Sequence, residues 1–311
     1  MSHFLSMEQL QPQQIDTLLE RAQQLQRQTP ARLLEGRVVA NLFFEPSTRT
    51  RFSFEMAAKR LGADSLNFQP STSSLEKGES LPDTLRSLQS MGVSAIVMRH
   101  AQEGLMAELA ALLEVPLINA GEGTLEHPSQ CLLDLLTIRQ EFGRLEGVRI
   151  AFVGDLLHSR VVGSHLRTLP RLGMEVWLVG PDEWMVRQLP SGVKRVEMDE
   201  ALQADALMML RVQKERMDGL PVLDLAAYRE KYGLTAQRAA AMSGSSIILH
   251  PAPINRGVEM DDEVVDHPRS RIFRQVTNGV AVRMAILEQT ILGGETFGTS
   301  PAPGERSAPS V

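Results

Sequence analysis

The sequence is poor in three features that would each define a class of protein: cysteine, long apolar runs and an excess of basic charge. Cys131 is the one cysteine among 311 residues, which excludes an internal disulfide framework and a cysteine-rich zinc site and is typical of a reducing compartment. Lysine and arginine number 32 against 38 acidic residues, a formal net charge of −6, so non-specific binding to nucleic acid is not expected. Any site built from arginine must therefore be local.

No segment is apolar enough to direct the chain to a membrane. A run of about 18 apolar residues is missing, and Met1–Leu10 lacks the basic start and apolar core of a secretory signal. We therefore expect a cytoplasmic protein. The seven histidines form no His-Glu-x-x-His motif, and neither a Gly-x-Gly-x-x-Gly turn nor a Gly-x-x-x-x-Gly-Lys-Ser/Thr loop occurs. We predict neither a metal nor a cofactor.

The chain is long enough, and at 43% hydrophobic residues apolar enough, to build two domains. Short apolar segments that alternate with amphipathic stretches predict a parallel sheet in each half. The predicted strands are Val38–Phe44, Ser65–Phe68, Ala95–Met98, Val115–Asn119, Val148–Val153, Val176–Val179, Ala206–Leu210 and Ile247–Leu249. The predicted fold class is α/β, with two domains of similar size, each a parallel sheet flanked by helices.

The predicted domain limits follow from the helices between these strands. Pro128–Phe142 reads as one long helix that ends at Gly143 and joins the domains. The first domain is predicted to span residues 1–142, completed by a second interdomain helix near 278–292, and the second to span 143–277. The tail 293–311 is rich in Gly, Pro, Ser and Thr and is predicted to be disordered.

The segment Phe43–Glu55 concentrates hydroxyl and guanidinium groups where a buried strand turns into a helix. The apolar residues that predict the helix are Phe52, Met56 and Leu61. The first N–H groups of a helix lack internal partners and attract an anion, and Ser47, Thr48, Thr50 and two arginines strengthen that attraction. A helix cap followed by solvated arginines is the alternative, but a cap needs only one side-chain oxygen. The turn therefore predicts a site for a phosphorylated substrate.

Other polar residues of the first half follow strands or open helices. Arg99 follows an apolar strand, at the edge where ligands of open α/β sheets bind, although an ordinary strand-end arginine is the alternative. His127 stands at the start of the long helix with Gln130 one turn further on, and a simple cap is the alternative there. The small polar residues of Gln69–Ser80 predict a mobile loop, and taken alone they favour a solvated surface loop.

Three segments of the second half place charge or carbonyl groups after predicted strands. One strand is followed by Gly154–Arg160 and another by Leu210–Arg216. Arg160 and Arg211 are therefore expected at one sheet edge. For Leu210–Arg216 a solvated charge run is the alternative. In His250–Pro253 two prolines remove two donors and fix the backbone, which leaves carbonyl groups to accept hydrogen bonds.

Together these segments resemble, in order, the aspartate and ornithine carbamoyltransferases. The Ser-Thr-Arg-Thr turn at Ser47 is similar to their carbamoyl phosphate signature, and the resemblance extends through seven motifs to the helix near Asn278. Arg-Val-Gln-Lys-Glu-Arg from Arg211 resembles the aspartate-binding segment, whereas the His-Cys-Leu-Pro and Ser-Met-Gly segments of the ornithine enzymes are missing. The resemblance implies carbamoyl transfer from carbamoyl phosphate to the α-amine of L-aspartate in de novo pyrimidine (UMP) synthesis.

The resemblance also implies a role for each motif residue. Implied to bind carbamoyl phosphate are Ser47, Thr48, Arg49, Thr50, Ser73, Arg99, His127, Gln130, Ala252 and Pro253. Implied to bind aspartate are Lys77, Arg160, Arg211 and Gln213. Implied to act in catalysis are Arg49, Thr50, Lys77, Arg99 and His127. A neutral imidazole is expected at His127, because the helix dipole disfavours a cation there.

The resemblance further implies a homotrimer with shared active sites, alone or in a larger assembly with regulatory chains or a dihydroorotase. Ser73 and Lys77 match the loop that enters the neighbouring subunit's site, with Glu76 where some relatives carry a second lysine. A carbamoyltransferase for another amine such as ornithine, or a non-catalytic scaffold relative, is the alternative. The leaving phosphate is the hypothesis for the acceptor of the amine proton.

Overall fold

Strands and helices alternate along the computed structural model, which describes residues 3–28, 32–70, 73–212 and 224–293. The strands are β1 (Val38–Phe43), β2 (Asp64–Phe68), β3 (Ala95–His100), β4 (Leu117–Glu122), β5 (Arg149–Val153), β6 (Glu175–Val179), β7 (Val193–Arg195), β8 (Ala206–Met209) and β9 (Ile247–Leu249). The helices are α1 (Pro12–Arg27), α2 (Thr48–Arg60), α3 (Leu81–Ser90), α4 (Leu105–Ala110), α5 (Pro128–Phe142), α6 (Arg160–Thr168), α7 (Met198–Ala201), α8 (Leu225–Tyr232), α9 (Ala236–Ala241), α10 (Asp262–Val265) and α11 (Ile272–Leu292).

The chain folds into two compact units. The first holds the chain up to Leu133 and again from Asn278, and the second holds Asp134–Thr277. The limits lie within α5 and α11, so each of these helices contributes residues to both units. The domain limits inferred from the sequence, after residues 142 and 277, remain predictions.

The first unit contains a four-stranded parallel sheet in the order β2-β1-β3-β4. Its apolar residues form a core against helices, with Leu42, Ile96 and Met98 fully buried. Phe43 at the end of β1 pairs with Arg99 near the end of β3. The turn that follows β1 therefore lies beside Arg99.

The second unit contains a five-stranded parallel sheet in the order β7-β6-β5-β8-β9. The predicted α/β class, with two parallel sheets flanked by helices, is confirmed. Sequence analysis missed β7, an edge strand of three residues of which Lys194 and Arg195 are exposed. Such a short strand carries no apolar run from which it could be predicted.

The helix predicted after Ser47 is present as α2, but the residues used to predict it do not all lie on its buried face. Phe52 and Met56 are 51% and 46% exposed, whereas Phe54, Ala57 and Leu61 are fully buried. Phe54, Ala57 and Leu61 are spaced by three and four residues, which places them on one face of the helix. Apolar residue type alone therefore assigned two of the three residues to the wrong face of the helix.

No helix in the described part of the chain is both long enough and apolar enough to cross a membrane. The described residues also bring together no group of three His, Cys, Asp or Glu side chains that could hold a metal ion. Cys131 is buried within α5. Gln213 and the tail from residue 294 lie outside the described residues.

Candidate active site

The predicted anion turn of the first unit is organised around Arg99. Its Nη1 donates to Ser47 Oγ (3.3 Å), and its Nε donates to Glu45 Oε2 (3.3 Å). Ser47 precedes α2 with an extended backbone, and its hydroxyl makes no capping hydrogen bond to that helix. A carboxylate and a hydroxyl therefore hold the guanidinium beside the first turn of α2, where backbone N–H groups have no helical partners.

A second contact joins the starts of two helices. Thr50 Oγ1, in the first turn of α2, lies 3.3 Å from Nε2 of His127, the residue before α5. Both side chains are buried, and Gln130 donates its backbone N–H to the His127 carbonyl (2.9 Å). Which of the two side chains donates depends on the imidazole tautomer.

Apart from the Glu45 carboxylate, which pairs with Arg99, the charges of this cluster favour an anion. The N-terminal end of a helix carries a partial positive charge and unsatisfied N–H donors, and here the start of α2 contacts both Arg99 and the residue before α5. Thr48 and Arg49, also in the first turn of α2, are exposed and accessible to a ligand. The arrangement can bind a phosphate group and polarise a nearby carbonyl oxygen.

His100, the neighbour of Arg99, adds no positive charge to the cluster at neutral pH. Burial lowers the pKa of its imidazole, an effect larger than the opposing attraction of Glu45. Its Nδ1 accepts the backbone N–H of Gln102 (3.0 Å), and its ring lies against that of Phe44 with centroids 5.1 Å apart. The positive charge of this cluster is therefore carried by its arginines and helix ends.

In the second unit, the segment after β5 leads directly to Arg160, the first residue of α6. Gly154 begins this segment with φ +131°, and a Cβ there would lie 3.1 Å from both Leu210 O and Tyr228 Oη. The chain therefore turns against the end of β8 at a position that only glycine fits. Ser159 caps α6 by accepting the N–H of Val162 (3.4 Å), and Arg160 is buried, with a relative exposure of 7%.

The other two predicted segments follow the neighbouring strands. Val153 of β5 pairs with Met209 of β8, and Met208 pairs with Leu249 of β9, so all three strands end at one sheet edge. Arg211 follows β8 and the turn His250–Pro253 follows β9.

Two hydrogen bonds organise the turn after β9. Asn255 Nδ2 donates to Val212 O (3.1 Å), which joins the turn to the segment of Arg211, and the N–H of Ala252 donates to His250 Nδ1 (2.7 Å). Two guanidinium groups at one sheet edge can hold a dicarboxylate through paired hydrogen bonds.

Three predicted site residues are not brought together with these clusters in the described part of the chain. Ser73 Oγ donates to Pro70 O (2.8 Å), a hydrogen bond within its own loop, and Lys77 is exposed at the end of a short 3₁₀ helix. Gln213 lies outside the described residues. The roles of all three remain predictions.

Both halves of the chain match models of one protein family. Residues 2–140 match the carbamoyl-P binding domain of aspartate/ornithine carbamoyltransferase, and residues 146–290 match its Asp/Orn binding domain. The chain belongs to the aspartate/ornithine carbamoyltransferase family. The family predicted from the motifs is thereby confirmed, since the matches cover both halves.

Several solved structures are similar to this carbamoyltransferase over nearly its whole length. Aspartate transcarbamoylase from Trypanosoma cruzi in complex with carbamoyl aspartate and phosphate is 36% identical, with a TM-score of 0.85 over 93% of this chain and 96% of that one. The same enzyme with N-(phosphonacetyl)-L-aspartic acid is 36% identical, with a TM-score of 0.83 over 93% and 95%. The catalytic subunit of M. jannaschii aspartate transcarbamoylase is 36% identical, with a TM-score of 0.82 over 94% and 98%.

Sequence reasoning assigned no role to two acidic residues of this carbamoyltransferase that lie within its motifs. Glu45 accepts from Arg99, and Asp155 is fully buried and accepts from the backbone N–H of His158 (3.1 Å), with its Oδ1 3.0 Å from His158 Nδ1. The partner of Asp155 lies three residues on, so a nearby carboxylate and histidine were a usable signal there, whereas Glu45 and Arg99 are 54 residues apart and gave none.

Proposed function

We propose that this carbamoyltransferase transfers the carbamoyl group of carbamoyl phosphate to the α-amine of L-aspartate, forming N-carbamoyl-L-aspartate and phosphate in de novo pyrimidine synthesis. The observation that carries the proposal is the anion cluster, in which Arg99, Ser47 and the Thr50–His127 contact surround two helix starts. The similar solved enzymes are aspartate transcarbamoylases, and the string from Arg211 to Arg216 supports aspartate over ornithine.

Carbamoyl phosphate would bind in the first unit through its phosphate. The groups proposed to hold the phosphate are Ser47, Thr48, Arg49, Thr50, Arg99 and the first N–H groups of α2. Gln130 and the carbonyl groups of Ala252 and Pro253 would accept hydrogen bonds from the carbamoyl NH₂ group. A planar guanidinium and a helix start both match the geometry of phosphate oxygens.

The reaction would begin when the aspartate nitrogen attacks the carbonyl carbon. Negative charge then develops on the carbonyl oxygen, where Thr50, Arg99 and His127 would stabilise it; one such donor contributes about 10²–10³ in rate. The bond from carbon to the phosphate oxygen breaks, and phosphate leaves. The amine loses one proton, and the leaving phosphate is the proposed acceptor.

Aspartate would bind in the second unit through its two carboxylates. Arg160 and Arg211 follow adjacent strands, and each guanidinium can grip one carboxylate with two hydrogen bonds. Gln213 would support Arg211, and Lys77 would contribute a further positive charge. Fixing the amine near the carbamoyl carbon supplies the entropic part of the rate enhancement.

One assay tests this function. The purified chain is given carbamoyl phosphate with either aspartate or ornithine, and product formation is measured with and without a chelator. We expect turnover with aspartate that chelation leaves unchanged. Equal or faster turnover with ornithine, no turnover with either amine, or a chelated enzyme that zinc or magnesium revives would refute the proposal.

We further propose a homotrimer in which the loop of Ser73 and Lys77 completes the site of the neighbouring subunit. Lys77 is exposed and Ser73 is half-buried, so a neighbour can reach both. A larger assembly with regulatory chains or a dihydroorotase would be built from this trimer. The solution mass of the purified chain should equal three chains.

Subunit mixing tests whether the loop acts on its neighbour. Arg49→Ala and Lys77→Ala should each be nearly inactive, but a closed ring that contains both variants has one interface where intact Arg49 meets intact Lys77. With random mixing about three quarters of the trimers are mixed and about one site in three is restored, so about a quarter of wild-type activity should return. Proven subunit exchange without recovery would mean that Lys77 acts within its own subunit or not at all.

A further inference from the structure

A row of buried polar side chains crosses the second unit, and none of them is assigned to substrate binding. Its members are Asp134, His165, Gln275, His250 and Glu259, with relative exposures of 0%, 0%, 2%, 1% and 0%. Polar groups buried this deeply are costly unless each one has a partner. Their hydrogen bonds therefore show which parts of the unit are tied together.

One end of the row lies in α6, the helix that begins at Arg160. His165 Nδ1 lies 2.6 Å from the carbonyl oxygen of Val161, so this nitrogen carries a proton and donates it. The opposite nitrogen, Nε2, packs 3.2 Å from Asp134 Oδ2, a close contact that lacks the geometry of a hydrogen bond. Asp134 Oδ1 in turn accepts from Gln275 Nε2 (2.7 Å), so Asp134 connects α6 to the amide of Gln275.

The other end of the row lies in the turn after β9. Gln275 Oε1 accepts the backbone N–H of His250 (3.0 Å). Because His250 Nδ1 accepts from Ala252 N, the ring proton is on Nε2, which faces Glu259 Oε1 at 3.4 Å. Glu259 Oε1 accepts the backbone N–H of Asn255 (2.5 Å). Buried side chains therefore anchor both ends of the turn.

The turn needs such anchoring because of its backbone. Ala252 has φ +54°, in the left-handed region that disfavours a residue with a Cβ. A residue in that region keeps its conformation only when the surrounding structure holds it, and such residues concentrate at functional sites. The backbone N–H groups of His250 and Ala252 both end on the buried row, which supplies that constraint.

We propose that Gln275 is a positioning residue: its amide ties the turn of Ala252 and Pro253 to the helix of Arg160 through Asp134 and His165. The proposal rests on the proposed function, because it is there that the turn and Arg160 receive their substrate roles. Glutamine suits the position because it accepts from His250 N and donates to Asp134 at the same time. Leucine would remove both hydrogen bonds, and glutamate would oppose the carboxylate of Asp134.

A charge-preserving exchange tests the pairing. Gln275→Glu alone should lower kcat/KM for aspartate at least tenfold, since two carboxylates then face each other. Asp134→Asn alone should lower it less than threefold, because asparagine can still accept from Gln275. In the double variant the glutamate side chain at position 275 accepts from both His250 N and the new amide at position 134, with the number of charges unchanged. We expect the double variant to recover to within about threefold of wild type.

Two controls separate positioning from general destabilisation. Val265→Ala removes a buried methyl pair from the same unit's core, where Val265 is 1% exposed, and should lower Tm without changing aspartate kinetics. The dissociation constant of carbamoyl phosphate should stay within twofold of wild type in Val265→Ala but rise in Gln275→Glu, because the carbonyl groups of Ala252 and Pro253 are proposed to accept from its carbamoyl NH₂ group. If Gln275→Glu does not fold, His165→Asn provides a milder break in the row, with an expected loss of three- to tenfold.

The outcomes divide clearly. Loss in Gln275→Glu with recovery in the double variant supports the proposal. The proposal would be overturned by a Gln275→Glu enzyme that has a lower Tm but aspartate kinetics within twofold of wild type, the result expected for Val265→Ala. It would also be overturned by a double variant that stays as impaired as Gln275→Glu. A wild-type enzyme inactive with aspartate would overturn the proposed function and is recognised before any variant is made.

Discussion

Replacing Gly154 by alanine should reduce both the stability of the second unit and the use of aspartate. Gly154 has φ +131°, which side chains rarely adopt, and an added Cβ would lie 3.1 Å from Leu210 O and from Tyr228 Oη. The first of these atoms is backbone at the end of β8 and the second belongs to a buried side chain, so neither can move aside freely. The segment that leads to Arg160 must shift instead.

The two costs can be estimated separately. The backbone conformation costs about 1–3 kcal/mol for a residue with a Cβ, and overpacking costs a further 1–3 kcal/mol or so. Gly143→Ala is the matched control, because Gly143 has φ +72° and no atom within 4 Å of an added Cβ. The control variant has only the backbone cost, about 1–2 kcal/mol. Alanine also restricts the unfolded chain, which offsets about 0.4–1 kcal/mol of that cost.

Thermal unfolding and steady-state kinetics of the two variants check the estimate. With the gain from the stiffer unfolded chain subtracted for both variants, the middle of each range at about 3 °C per kcal/mol lowers Tm by about 10 °C for Gly154→Ala and by about 2 °C for Gly143→Ala. Only Gly154→Ala should raise KM for aspartate, at least threefold, while the dissociation constant of carbamoyl phosphate stays unchanged. Equal Tm values for the two variants, or an equal loss in carbamoyl phosphate binding, would refute the reasoning.

Three further predictions concern single contacts. Arg211→Lys should cost about 2–5 kcal/mol in kcat/KM for aspartate, because lysine keeps the charge but loses the planar fork. An equal fall in carbamoyl phosphate affinity would mean that Arg211 is not specific to the aspartate site. Thr50→Val removes the hydroxyl 3.3 Å from His127 while keeping the side-chain shape, so kcat should fall about 10²–10³ with little change in KM for aspartate. Glu141 receives two hydrogen bonds from Arg271 (2.7 and 2.6 Å), which hold the pKa of this carboxyl below its usual range. The stability that this pair contributes is present above the unfolded pKa of about 4.3 and is lost as the pH falls through the lower folded pKa. At pH 7 the pair should stabilise the wild type over Glu141→Gln by about 1 kcal/mol. The difference in Tm between the two proteins should therefore disappear on acidification.

The sequence alone determined the positions of most strands and the residues that meet at their ends. Apolar runs are local, so β1, β5 and β9 could be located to within one residue. Polar groups directly after such runs, such as Arg99 and Arg211, must lie at the carboxyl edge of a parallel sheet. An anion site at Ser47 and Thr50 could be predicted for the same reason, because both stand at a helix start whose donors face outward, whereas only the family resemblance added His127.

Tertiary structure decided which distant groups pair and which helix faces are buried. Phe52 of α2 is exposed although its residue type favours burial, because packing on the sheet selects Phe54 and its neighbours. Gln275 reaches Asp134 across 141 positions of sequence, and Arg99 reaches Glu45 across 54. Local periodicity records only whether a residue suits a strand, a helix or a turn. A hydrogen bond between two segments depends on the order in which strands assemble and on where each side chain is directed, and these are properties of the packed chain.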